Sequence, residues 1–172
     1  MEWTLTLVFI AFIIYALYNI MVVGTLGLPW SLSETFYKLK EQKEWLRVFF
    51  PITMILISWL LLPAWLEISA STHLEFLAFL AAGGIMFTGA APAFKKHRLE
   101  NRVHMISALL SALFAILWII FVSKLWWVLV TWLVLIALIA IVTKTWKTSL
   151  IFWLETVAFL ATFTSIILYQ LM

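Results

Sequence analysis

The chain reads as an all-α, polytopic transmembrane bundle of about six helices with a further amphipathic helix at the cytoplasmic surface. Three observations predict this. Of 172 residues, 66% are hydrophobic and 11% charged, with mean hydropathy +1.12, whereas soluble domains run at about half apolar and a quarter charged. The apolar residues fall into six runs, each close to the ~20 residues that cross a ~30 Å hydrocarbon core as helix. The basic residues are sorted to one side of those runs.

The first run, roughly 3–24, opens "MEWTLTLVFIAFIIYALYNIMVV" with Glu2 and no early Lys or Arg. A signal peptide would begin with a positive region and offer a small-residue cleavage site, so a retained helix is expected. Gly27 and Pro29 end it. The next segment, "GLPWSLSETFYKLKEQKEWLR", is the longest polar stretch. Ser31 followed three residues later by Glu34 is a capping-box pattern, and Leu32, Phe36, Leu39, Trp45 and Leu46 alternate with charged residues. The pattern predicts a helix over 31–47 lying in the cytoplasmic interface, basic groups toward anionic headgroups. Alternatively, Ser31, Ser33 and Glu34 form a lid or cap over a cytoplasmic opening.

Five further runs follow at about 49–66, 74–93, 103–122, 125–143 and 148–171, all in one membrane domain. Pro51 sits in the first turn of its run, where its missing N–H costs nothing, and Pro63 and Pro92 fall near expected helix ends. Only Ser123 and Lys124 separate the fourth and fifth runs, so a tight hairpin is required there. No internal repeat of the solenoid or transporter kind is visible.

Across alternate connections, Lys38, Lys40, Lys43, Arg47, Lys95, Lys96, Arg98, Arg102, Lys144 and Lys147 share one side and Lys124 stands alone on the other. By the positive-inside rule the side with ten is cytoplasmic. This predicts an integral protein of a bacterial inner membrane with both termini outside. Trp3, Trp65, Trp126 and Trp127 then mark the outer interface, and Trp30, Trp45, Trp146 and Trp153 the inner one.

An ionisable side chain within a span costs at least ~2.5 kcal/mol on insertion scales. Glu155 is the clearest case, about two turns into the sixth run, with Ala158, Thr162, Ser165 and Tyr169 continuing its face. His104 enters the fourth run at the same end, followed by Ser107, Ser111 and Ala115. Tyr15, Tyr18 and Asn19 come down to that level in the first run. A cytoplasm-facing polar cluster of Tyr15, Asn19, His104 and Glu155 is therefore expected, as a ligand site or as interhelical hydrogen bonding. Ala78, Ala82 and Gly89 form a small-residue stripe on the third run, expected to pack against Ser107 and Ser111 of the fourth; such Gly/Ala/Ser faces also suit a homo-oligomer.

Motifs for chemistry are sparse. Cys and Asp are absent, and the three histidines divide between the two sides, His73 outside and His97 and His104 inside. No metal site, nucleotide loop or nucleic-acid patch is evident. "RLENRVH" has the Arg-x5-His spacing of some membrane-linked ribonuclease modules, but His104 enters a hydrophobic helix. Ser31 and Ser33 have no histidine nearby in sequence, so spacing gives no serine nucleophile. The stretches "PWSLSETFY", "FTGAAPAFKKHRLENRVHMISA" and "FWLETVAF" resemble an uncharacterised family of small six-helix integral membrane proteins of gut Bacteroidetes and their phages, and the resemblance implies placement without an activity. Three functional readings stand: a small transporter, channel-like or apolar-ligand-binding protein; a membrane enzyme acting on lipid, with Glu155 and His104 as base and acid; and a structural or assembly subunit whose partners are lipids and its own copies.

Because the chain contains no cysteine, orientation can be read directly. On intact cells an impermeant thiol reagent should label Ala70→Cys and leave Lys43→Cys untouched, and the reverse pattern would invert the threading.

Overall fold

A computed structural model describes residues 2–172, and among these there are helices and turns but no strand. The seven α-helices are α1 (Glu2–Leu26), α2 (Thr35–Gln42), α3 (Phe49–Ser69), α4 (Glu75–Ala90), α5 (Arg98–Trp118), α6 (Trp126–Val142) and α7 (Leu150–Leu171). Four segments are long and apolar enough to cross a membrane: α1, α3 with the 3-10 turn Glu44–Val48 before it, α5 with the π-helical turn Ile119–Ser123 after it, and α7. At 16 and 17 residues, α4 and α6 are about 24 and 26 Å long, short of the full hydrocarbon core.

Local chemistry places the ends. Gly27, at φ +71°, takes the left-handed position after α1, and its N–H caps the Val23 carbonyl at 3.0 Å. Pro92 stops α4 by forcing Ala91 out of helical geometry (φ −114°, ψ 57°). The hairpin at Ser123–Lys124 is as tight as its length demands: Lys124 is left-handed, and the Ser123 hydroxyl donates to the Ile119 carbonyl at 2.8 Å and accepts the Leu125 N–H.

Three expectations change. The helix over 31–47 is instead a turn at 31–34, then α2, then the 3-10 turn, because Lys43 is extended (φ −154°, ψ 135°) where the chain bends toward α3. Pro63 lies inside α3, which runs on to Ser69, so the Trp59 carbonyl loses its usual partner. Helix α5 starts at Arg98 rather than 103, since the helix continues through its charged first turns with Arg98 and Arg102 exposed.

Helix α4 is the centre of packing, against α5 on one side and α3 on the other; α1 lies on α3, α7 reaches α1, α3 and α5, and α6 rests mainly on α7. The glycines of α4 divide the work. A Cβ on Gly84 would lie 2.5 Å from the Ser111 Cβ and 2.7 Å from the Ser107 carbonyl oxygen, so α4 and α5 touch backbone to backbone there. Gly89 faces α3 instead, 2.8 Å from the Met54 Cβ, and the Ser58 hydroxyl donates to the Ala82 carbonyl at 2.7 Å. The close approach of α4 and α5 thus runs through Gly84, not Gly89. Away from the basic loops, Gln170 donates to Thr4 (3.0 Å) and Thr4 to Glu67 (2.6 Å), joining α7, α1 and α3.

Gly84→Ala and Gly89→Ala should each destabilise the protein by about 1–3 kcal/mol through overpacking, while Gly83→Ala, with nothing within 4 Å of its new Cβ, should leave it unchanged or slightly more stable. Thermal unfolding in detergent, followed by circular dichroism, measures all three.

Candidate functional site

At the basic end of the bundle the chain between α1 and α2 turns inward after the exposed Trp30. Ser31, Leu32, Ser33, Thr35 and Phe36 are all buried, and Leu39 continues that face. The segment Trp30–Thr35 plugs the mouth of the bundle, and nearly every polar group in it is committed. The Trp30 carbonyl accepts the N–H of Phe152 at 2.9 Å, one of the orphan donors in the first turn of α7. The Leu32 N–H donates to Glu155 Oε2 at 2.7 Å. Thr35 donates to the Leu32 carbonyl and shares a hydrogen bond with the Tyr18 hydroxyl of α1.

The expected capping box does not start α2, whose N-cap is Glu34 without a side-chain cap; its Ser31–Glu34 pair lies in the turn before it. The Glu34 N–H donates to Ser31 Oγ at 3.1 Å, as the pattern predicts, but the Glu34 carboxylate reaches the Trp30 N–H at 3.1 Å rather than that of Ser31. Its oxygens also meet Lys38 (3.5 Å) and Lys95 (3.6 Å), which brings the loop after α4 down over the plug. In that loop the Lys95 N–H donates to the Tyr37 hydroxyl at 2.6 Å. Burial raises the pKa of Tyr37 above its ordinary value despite this bond, so at neutral pH it is an uncharged phenol. Phe94 packs edge-on to Tyr37 and stacks on His104, centroids 4.4 Å apart.

His104 is buried and fully engaged. Its Nδ1 is 3.1 Å from both the Thr88 and Ala91 carbonyl oxygens, and its Nε2 is 2.8 Å from Ser33 Oγ. The two carbonyls sit where α4 ends and its last C=O groups have no helical partner. Carbonyls only accept, so Nδ1 carries a proton; when the ring is neutral, Nε2 accepts from the Ser33 hydroxyl.

The expected cluster is therefore spread around the plug. Glu155 and His104 bond to successive residues of the plug, Leu32 and Ser33, and not to each other. Glu155 is the sixth residue of α7, about 7.5 Å in rather than two full turns, and it makes no ion pair among the described residues. Asn19 donates to the Tyr15 carbonyl on its own helix at 2.8 Å, and Tyr15 packs on Phe159. The Tyr15 hydroxyl and Asn19 Oδ1 are buried without hydrogen-bond partners. Tyr18, expected at this level but not in the cluster, bonds to Thr35; Thr35 and Thr88 were not singled out by spacing, since each reaches the site from a different segment.

Next to the plug lies a cavity of about 80 Å³, room for a few waters or a small apolar group. Ser33, Thr88 and Glu155 line its basic end; Ala108, Ala112 and Ala115 of α5 face Ala158, Phe159 and Thr162 of α7 along its length. Trp65 closes the far end, in edge contact with Trp118, whose Nε1 donates to Ser69 Oγ at 2.8 Å. Ser165, further along the Glu155 face, is buried, while Tyr169 is exposed. Among the described residues no three His or Glu side chains gather as a metal site requires.

Glu155→Leu should release the plug and Glu155→Gln should hold it, because a neutral amide oxygen can still accept the Leu32 N–H. Leaving the buried Leu32 N–H without an acceptor, about 1–3 kcal/mol, predicts roughly 5- to 100-fold faster hydrogen exchange over residues 32–36 in the Leu variant. Equal exchange in both variants and the parent would show that Glu155 does not anchor the turn. No family model, curated protein or solved structure matches this chain.

Proposed function

We propose that this is an integral membrane protein of six spans, basic loops in the cytoplasm and both termini outside, that binds a small, mainly apolar molecule in a cavity reached from the cytoplasmic side. The belt of exposed Phe, Leu, Ile and Val supports the membrane reading, since a water-soluble surface does not carry so large an apolar area. Although α4 and α6 are short, Phe79 and Phe87 on one and Leu133, Val134 and Leu138 on the other are exposed, and local bilayer thinning accommodates spans a few ångströms short. A bacterial cytoplasmic membrane is the setting, in keeping with the resemblance to the six-helix family.

The observation that carries the binding reading is the cavity between α5 and α7, apolar along its length and polar only at the plug. Ligand sites are typically apolar clefts with a few placed polar groups that fix orientation. Entry or release requires the Trp30–Thr35 turn to move, because it fills the mouth. The Trp65–Trp118 pair at the far end argues for binding, or carriage with a second conformation, over an open channel. The small faces suited to oligomers are largely used within the chain, Gly84 against α5 and Gly89 against α3, so an assembly role draws less support.

A short alkyl diazirine, photoactivated in proteoliposomes, should attach to the facing walls of α5 and α7 around Ala112 and Phe159, and Ala112→Trp should abolish those adducts while leaving the lipid-facing ones. Adducts confined to lipid-facing residues in the parent protein would refute a ligand cavity.

A further inference from the structure

We propose that Ser33 is a nucleophile, with His104 as its general base, for cleavage of an ester whose short acyl chain occupies the cavity. The proposal rests on the binding reading above and adds chemistry to it.

The pair has the geometry that nucleophilic catalysis needs. Ser33 Oγ and His104 Nε2 are 2.8 Å apart, within the reach of a nucleophile and its base. The base is oriented by a third group, as in a Ser-His-Asp triad, except that here the Thr88 and Ala91 carbonyls hold Nδ1–H at 3.1 Å. Stacking on Phe94 at 4.4 Å fixes the plane of the ring. Those carbonyl dipoles would also stabilise the imidazolium formed when Nε2 takes a proton.

A purely structural role explains Ser31 better than Ser33. Ser31 Oγ caps the Glu34 N–H, whereas the Ser33 hydroxyl bonds to His104 alone among the described residues and supports no backbone group. Ser33 also lines the cavity, whose wall of Ala108, Ala112 and Phe159 begins beside it and suits an acyl chain. The Ser33 N–H takes no partner among the described residues, and the nucleophile's own amide is one of the two oxyanion donors in the serine hydrolase template. Glu155 is a positioning residue: its bond to the Leu32 N–H holds the turn that presents Ser33.

The step balances with water as co-reactant. Ser33 Oγ attacks the ester carbonyl carbon and its proton passes to Nε2; the tetrahedral intermediate collapses with cleavage of the bond to the alcohol oxygen, which takes the proton from Nε2 and leaves as the alcohol. Water, deprotonated by Nε2, then attacks the acyl-serine, releasing the carboxylic acid and restoring the Ser33 hydroxyl.

The test is labelling of the full chain in lipid nanodiscs with an alkyl fluorophosphonate, mapped by peptide mass spectrometry, alongside hydrolysis of 4-nitrophenyl butyrate. Modification at Ser33, with loss of both labelling and hydrolysis in Ser33→Ala at unchanged melting temperature, is the expected result. His104→Gln should slow labelling by about 100-fold or more. Because that variant also uncaps α4, Ser33→Cys supplies a second readout: in this otherwise cysteine-free chain the alkylation rate of its thiol should titrate well below the free-thiol value of about 8.5. An unlabelled Ser33 in the parent, together with an unshifted thiol titration in the Ser33→Cys variant, overturns the nucleophile. If the alkyl diazirine still marks Ala112 in that case, the binding reading survives; if it does not, both fall.

Discussion

The hydrogen bond from the Leu32 N–H to the Glu155 carboxylate, 2.7 Å long and spanning 123 positions of sequence, is the constraint around which the basic end of the molecule is arranged. A carboxylate held within a span is costly, and a backbone amide buried without a partner is costly too. Each offsets part of the other's deficit. The same exchange recurs around the plug: Phe152 N–H and the Trp30 carbonyl, His104 and the terminal carbonyls of α4, Tyr18 and Thr35. In the proposed membrane setting, non-helical backbone is tolerated where protein satisfies its polar groups, and the Trp30–Thr35 turn meets that condition, the Ser33 N–H apart, through α1, α5 and α7.

The opposite end is built differently. Trp65 and Trp118 fill space and are locked through Ser69, while Thr4, Glu67 and Gln170 bind three helices together. The result is an asymmetric body. One end is closed by rigid aromatic packing, the other by a short turn held by a handful of hydrogen bonds, and the cavity lies between them. The plug buries Leu32 in the same core, but its hydrogen bonds are ones that water can replace, which is what entry through that end, as proposed, requires.

Much of the helical layout was legible in the sequence, because hydropathy and turn residues act locally. Gly27, Pro92 and the Ser123–Lys124 pair mark their ends by backbone geometry alone. What the sequence could not disclose is what an amphipathic face meets. Leu32, Phe36 and Leu39 recur at helical spacing whether they lie against lipid tails or against the bundle, and the pattern is silent on which; the structure turns them inward. Similarly, a glycine stripe announces close approach without naming the neighbour, which is how Gly89 was matched to α5 when it faces α3. Ser33 and His104 are 71 positions apart, and no spacing rule connects residues joined only by how three helices and two loops fold over one another.

The position of the plug in the chain also sets an order of events during biosynthesis. The Trp30–Thr35 turn leaves the ribosome well before either of its main anchors, His104 and then Glu155. At about 5–20 residues per second, the 123 positions to Glu155 represent roughly 6–25 s during which the turn has no carboxylate to bind. Until then, in the membrane setting proposed above, the amphipathic pattern of Leu32 and its neighbours suits the headgroup region. Seating the turn is thus a late event, coupled to arrival of the last helix, and a chain stalled before Glu155 would leave Leu32 and its neighbours without the anchor that holds them inward.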